Sequence, residues 1–298
     1  MHTITPGAVV VGVDGSSPSD AAIEWAVDLA QTQHRPLVLV CGAGEPTASE
    51  RVRDGRGARQ ALRMEARRLT DRALGRVRKI DRQLEVTART PLRPPADALL
   101  ELADEASILV VGTRGRGRVK SMVLGSVSAA VCARAGCPVA VIRPTSAAEQ
   151  EIPGPVVVGI DASVQSAPAL DFAFEIASAQ GAVLEVVHNW APPHGWGHHG
   201  AEEQFAEGEA QQRALEIALA GYEETFPDVE VHRHLPRSSP VDTLRVLSET
   251  ASLVVVGARP DPGPTALVGS VSRAVVEHAR CPVVVVRSAP AASPLAHR

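Results

Sequence analysis

Apolar positions along the chain alternate between two rhythms. Residues 8–13 (Ala-Val-Val-Val-Gly-Val) form an unbroken apolar run, the pattern of a parallel strand buried on both faces. Ser17 and Pro18 follow as a helix start, with Ser as the expected N-cap. Ala22, Ile23, Ala26, Val27 and Ala30 then recur at helical spacing. The same reading places strands over 37–41, 84–87, 108–111 and 139–142. It places helices over 51–79, 95–105 and 126–135. Strands alternating with helices predict a parallel sheet covered by helices on both faces. Ligands of such sheets bind beyond the carboxyl ends of the strands, where the strand order switches. The loops after the first, second and fourth strands are therefore the informative ones.

The whole pattern occurs twice. Val9-Val-Val-Gly-Val-Asp14-Gly-Ser16 returns as Val156-Val-Val-Gly-Ile-Asp161-Ala-Ser163. Pro91-x3-Pro95-Ala-Asp97 returns as Pro236-x3-Pro240-Val-Asp242, and Ile108-Leu-Val-Val-Gly112 as Leu253-Val-Val-Val-Gly257. Gly125-Ser-Val-Ser128 returns as Gly269-Ser-Val-Ser272, and Cys137-Pro-Val as Cys281-Pro-Val. The offset stays between 144 and 147 residues, which predicts two complete domains, residues 1–145 and 152–290. The linker over 144–155 holds three prolines and a glycine, a composition that ends regular structure.

Charge separates the halves. Residues 1–150 carry 21 Lys+Arg against 16 Asp+Glu, and residues 151–298 carry 9 against 18, within a net charge of −4. Nothing here argues for nucleic acid as a partner. The Arg-rich stretch over 51–82 is interrupted by Glu65, Asp71 and Asp81, and aromatics make up 3% of the chain; stacking platforms are lacking and a solvated helix face is the expectation. The apolar runs are too short to span a bilayer, and residues 1–10 do not read as a secretory leader. With four cysteines in 298 residues there is no disulfide framework. The expected location is the cytoplasm, and the cysteines are expected to be small buried hydrophobes.

The strongest chemical signal follows the fourth strand: Gly112-Thr-Arg-Gly115-Arg-Gly117-Arg118, then Gly125-Ser126 at a helix start. Glycines let a backbone approach a ligand closely. Free amides in such a turn form an anion nest, and the first turn of the next helix favours phosphate. Arg114, Arg116 and Arg118 suit phosphate oxygens. The alternative is a solvated Gly/Arg loop. Arg118-Val119 stands where a P-loop requires Lys-Ser/Thr, and no G-x-G-x-x-G follows the first strand, so those nucleotide folds are disfavoured.

Gly112-x2-Gly115-x9-Gly125-Ser, the opening VVVGVDGS and the Gly-Ser-Val-Ser…Cys-Pro-Val ending together resemble the universal stress protein family, over essentially the whole chain and in tandem. The resemblance implies two flavodoxin-like (adenine nucleotide alpha hydrolase-like) domains, each a five-stranded parallel sheet between helices. In the ATP-binding branch it implies one nucleotide per domain, here ATP, with magnesium as an option. Gly12 and Asp14 would meet the adenosine, and the backbone of Val40 and Cys41 the adenine edge. Gly112, Thr113, Arg114, Gly115, Arg116, Gly117 and Arg118 would wrap ribose and phosphates. Gly125, Ser126, Val127 and Ser128 would donate N–H and hydroxyl groups to the phosphates. Asp14 also reads simply as a turn former before Gly-Ser. The resemblance further implies that the fifth strands, 139–142 and 283–286, pair with each other and so remove an aggregation-prone edge from each sheet. A homodimer of the whole chain stays open.

Half two departs from the pattern. Gly159, Asp161, Gly257, Arg259, Gly269, Ser270, Val271 and Ser272 are its counterparts, but Pro260, Pro262 and Pro264 remove backbone donors and Asp261 adds negative charge. A weaker or empty second site is expected. His188, His194, His198 and His199 lie in a Gly/Pro-rich tract without zinc-site spacing. No G-x-S-x-G elbow occurs. The expected role is ATP-dependent regulation during stress through an unidentified protein partner. A slow ATPase or ATP-cleaving enzyme of the same superfamily and a nucleotide-free scaffold remain as alternatives.

Overall fold

The structure, a computed structural model, describes residues 4–113, 115, 124–144, 154–190, 201–258 and 269–288. Half one runs β1 (Ala8–Gly12), α1 (Ser17–Thr32), β2 (Leu37–Val40), α2 (Ala48–Ile80), β3 (Val86–Arg89), α3 (Pro95–Leu100), β4 (Ala106–Gly112), α4 (Ser126–Arg134) and β5 (Val139–Ile142). Half two repeats it with β6 (Val156–Ile160), a 3-10 turn (Val164–Ser166), α5 (Ala167–Gln180), β7 (Leu184–His188), α6 (Ala201–Leu219), α7 (Tyr222–Thr225), β8 (Val231–His234), α8 (Pro240–Leu247), β9 (Leu253–Ala258), α9 (Ser270–His278) and β10 (Val283–Arg287).

Each half is a five-stranded parallel sheet, as expected. The two join edge to edge into one ten-stranded sheet of order β3-β2-β1-β4-β5-β10-β9-β6-β7-β8. The junction is antiparallel, with Val283 opposite Val141, Val284 opposite Ala140 and Val285 opposite Val139. Strand side chains alternate between faces, so the apolar runs feed two cores. Val9, Val11, Leu37, Leu39 and Ile108 share one core with Ile23 of α1, Leu69 of α2, Phe174 of α5 and Leu215 of α6. Val10, Val38, Leu109 and Val111 share the other core with Leu99 of α3, Val131 of α4, Leu244 of α8 and Val275 of α9.

Local differences from the sequence expectation have local causes. The cap of α1 is Ser16, whose hydroxyl accepts from Ser19 N–H, one residue before the expected Ser17. Helix α2 starts at Ala48 and breaks at Asp54 (φ −160°, ψ 79°); the Asp54 carboxylate accepts from Gly57 N–H and restarts the helix. Strand β3 begins two residues late because Asp81 Oδ1 accepts from Gln83 and Leu84 N–H, which holds Leu84 in a turn. Helix α3 stops at Leu100, after which Leu102, Ala103 and Glu105 donate three residues back and tighten the chain toward β4.

The four cysteines are free and buried. Desolvation pushes the thiols of Cys132 and Cys281 up to about 12 and that of Cys137 up to about 11. The neutral thiol is therefore retained through mildly alkaline pH, and the nucleophilic thiolate is withheld. Iodoacetamide at pH 8 is expected to leave these three unmodified in the native protein and to alkylate them in guanidinium. Rapid native modification of any of them would contradict this. A second expectation concerns the turn after β6. Ala162 holds φ +54° where the matching Gly15 holds +75°, a region that disfavours a β-carbon. Ala162→Gly should stabilise the fold by about 0.5–1 kcal/mol, read as a rise in Tm.

Candidate functional site

Strand order switches between β1 and β4, whose following helices α1 and α4 leave to opposite faces of the sheet. A cavity of about 550 Å³ opens at their carboxyl ends. One wall is apolar and comes from Val13, Cys41 and the α2 residues Leu62, Ala66 and Leu69; Pro95, Leu99 and Val111 face it from the other side of the sheet. The polar end comes from Asp14, Gly112, Gly115 and the start of α4, Gly125 to Ser128.

The end of β1 is tied down first. Asp14 Oδ1 accepts from the Ser16 N–H at 2.9 Å and the Ser16 hydroxyl at 2.6 Å. Asp14 N–H donates to Ser19 Oγ at 3.2 Å. Asp14 thus makes the turn into α1 and also lines the cavity. Two glycines are required by close approach. A β-carbon on Gly115 would stand 2.4 Å from Asp14 Oδ2, and one on Gly112 would stand 2.7 Å from the Pro18 carbonyl carbon.

The loop between β4 and α4 is pinched at its base. Thr113 N–H donates to the Ile142 carbonyl at 2.9 Å, and Gly125 N–H donates to the Thr113 carbonyl at 2.7 Å. Thr113 is buried, and its main chain serves the fold rather than the cavity. Ser128 donates its hydroxyl proton to the Gly112 carbonyl at 2.7 Å. Two of the expected phosphate donors, the Gly125 amide and the Ser128 hydroxyl proton, are therefore engaged within the fold. What remains is the first turn of α4. Its first helical bond is Ala129 N–H to the Gly125 carbonyl, and the cap residue Gly125 supplies no side-chain acceptor. The amides of Ser126, Val127 and Ser128 have no partner among the described residues. These are the orphan donors that every helix start presents, here aimed at a cavity. Arg114, Arg116, Gly117 and Arg118 lie outside the described residues.

At the other end the backbone differs from the expectation in a similar way. The Val40 carbonyl accepts from Val13 N–H at 2.8 Å, and Cys41 N–H donates to the Arg89 carbonyl at 2.9 Å. Ala43 and Gly44 amides go to the Pro91 and Arg93 carbonyls. The donor left at this end is Gly42 N–H, for which no partner occurs among the described residues. Sequence reasoning passed over Gly42, although a glycine directly after a buried strand marks close backbone approach. A β-carbon there would stand 2.5 Å from Pro95 Cα.

Half two keeps the frame. Asp161 Oδ1 accepts from Ser163 N–H and from the Ser163 and Ser166 hydroxyls. Ser272 donates to the Gly257 carbonyl at 2.6 Å, and Arg273 N–H donates to the Gly269 carbonyl, so Ser270, Val271 and Ser272 repeat the open first turn. Close approach is relaxed at Gly257, where a β-carbon would meet nothing within 4 Å among the described residues, but not at Gly159, where one would stand 2.8 Å from the Leu244 side chain. The position of Cys41 is taken by the buried His188. Its Nδ1 lies 3.3 Å from the Ile160 carbonyl and its Nε2 2.8 Å from Gln211 Oε1, while Gln211 donates to Glu207 at 2.9 Å. His194, His198, His199, Arg259 and residues 260–268 lie outside the described residues. Among the described residues no cluster of three or more metal-ligating side chains occurs, and no helix is long and apolar enough to cross a membrane.

Known proteins share this architecture. A universal stress protein of Mycobacterium tuberculosis is 37% identical over 290 residues, covering 94% of this chain and 96% of its own. One of Mycolicibacterium smegmatis is 34% identical over 304 residues, covering 96% and 99%. The crystal structure of a universal stress protein from Archaeoglobus fulgidus shares the fold with a TM-score of 0.70 at 18% identity, over 95% of this chain and 99% of that one. The profile of the universal stress protein family matches residues 7–143 and again 154–287. The chain belongs to the universal stress protein family, with two domains of that family in tandem.

Proposed function

We propose that half one binds an adenine nucleotide, ATP with magnesium, in the cavity between β1 and β4, and that occupancy regulates an unidentified protein partner during cytoplasmic stress responses. The observation that carries this reading is the first turn of α4. The amides of Ser126, Val127 and Ser128, without a partner among the described residues, sit at one end of a cavity whose other end is apolar. A phosphate at that turn meets the positive end of the helix dipole. Each hydrogen bond to an ionised oxygen there is worth about 1.5–3 kcal/mol. A flat base fits between the α2 wall and Pro95 and Leu99, with Gly42 N–H offered to its edge. A magnesium ion keeps most of its water and takes few protein ligands beside phosphate; Asp14 is the carboxylate on the Gly112 and Gly115 side of the cavity.

Binding rather than rapid turnover is the better reading. Among the described lining residues the carboxylates are Asp14, held by Ser16, and Glu65, held by both arms of Arg68 at 2.9 Å. Neither stands ready as a general base.

Equilibrium dialysis of the full chain with labelled ATP is expected to show saturable binding. Gly115→Val, which drives a β-carbon into Asp14, should weaken it at least about 100-fold while the far-ultraviolet spectrum stays native. Unchanged affinity in that variant, or no binding by the wild-type chain, would remove the reading. Gly42→Ala, which crowds Pro95, is expected to weaken binding of adenosine as well as ATP. An unchanged affinity for adenosine would show that the base does not sit at the end of β2.

A further inference from the structure

Half two differs from half one at a position that matters for a base. Gly12 pairs with Val40 and Gly159 with Val187, so Ala43 and Trp190 stand at the same step beyond the second strand of their halves. Their main chains agree. Ala43 N–H donates to the Pro91 carbonyl at 2.9 Å, and Trp190 N–H donates to the Pro236 carbonyl at 3.3 Å; Pro91 and Pro236 are matching positions of the repeat. In half one the Ala43 methyl lines the cavity and leaves its volume open. In half two the same backbone position carries an indole. The ring packs on α6, 3.6 Å from where a β-carbon on Gly208 would stand, and α6 is the counterpart of the α2 wall. Arg237 covers the ring, with its guanidinium carbon 4.3 Å from the ring centroid. Beside it the apolar Cys41 is replaced by His188, tied to Gln211 and Glu207.

We propose that Trp190 is a built-in occupant of the base slot of half two, so that the chain takes one adenine nucleotide and not two. Indole and adenine are both flat, fused bicyclic rings of similar size. Arg237 lies on the indole face in the way a cation covers a stacked aromatic. The phosphate end of half two, with its open first turn at Ser270 to Ser272, is retained, while the place for the base is filled from within. This inference rests on the reading that half one receives the base beside Ala43.

The experiment is a reciprocal exchange in the full chain, followed by isothermal titration with ATP and, separately, with adenosine. Wild type is expected to bind one nucleotide per chain. Trp190→Ala should raise the number to two, Ala43→Trp should lower it to none, and the double variant should return it to one. Trp190→Val serves as a second opening variant, and thermal unfolding confirms that each variant is folded. Two sites in the wild-type chain would overturn the proposal. So would a folded Trp190→Ala or Trp190→Val chain that stays at one site, and that result would leave the half-one reading intact. A wild-type chain that binds none overturns both readings, which separates the two failures.

Discussion

The antiparallel pairing of β5 with β10 is the contact on which the rest of the molecule depends. Each half presents a strand of continuous apolar side chains at its own edge, and neither edge is tolerable alone. Zipping Val139, Ala140 and Val141 to Val285, Val284 and Val283 satisfies both with one ladder. Arg143, just beyond β5, reinforces the seam by donating to the Val276 carbonyl of α9. Because the join is antiparallel while each half is parallel, the carboxyl edges of the two halves point in opposite directions. The carboxyl ends of the two sets of strands therefore lie on opposite edges of one sheet. The cavity of half one is lined only by residues of its own half, so either half can drift chemically without disturbing the other.

That drift is visible in how each half uses its main chain. In half one, glycines at 42, 112 and 115 bring backbone within van der Waals range of Pro95, Pro18 and Asp14, and a side chain at any of them would collide. In half two a β-carbon at Gly257, the counterpart of Gly112, would meet nothing within 4 Å among the described residues, while the turn position of Gly15 is held by Ala162 at a positive φ. The hydrogen-bonded frame survives because it serves the fold: Ser128 and Ser272 both lock a helix start onto the end of the preceding strand. Conserving that lock does not by itself conserve a ligand.

Much of this was legible in the residues. Runs such as residues 8–13 and 283–286 read as buried strands, the doubled order of motifs predicted two domains, and the family resemblance implied their seam. The misplaced features depend on which donor meets which acceptor. The resemblance implied Val40 and Cys41 at the adenine edge, but the Val40 carbonyl takes the Val13 amide and the Cys41 amide goes to the Arg89 carbonyl, leaving Gly42 N–H without a partner among the described residues. Gly125 and Ser128 looked like ligand donors until Thr113 and Gly112 supplied acceptors within the fold. The match of Trp190 with Ala43 follows from the strand register, and the direction of the indole over α6 appears only in three dimensions.

The seam also imposes an order on synthesis. The first domain leaves the ribosome with strand Val139–Ile142 complete, yet the segment that covers it ends at Arg287. At ribosomal speeds of roughly 5–20 residues per second, the nascent chain carries that bare, all-apolar rim for about 7–30 seconds. On a crowded polysome the same rim on a neighbouring nascent chain is an equally good partner. The tandem arrangement competes by tethering: its own second rim arrives at a high local concentration, favouring closure within one polypeptide over exchange between two.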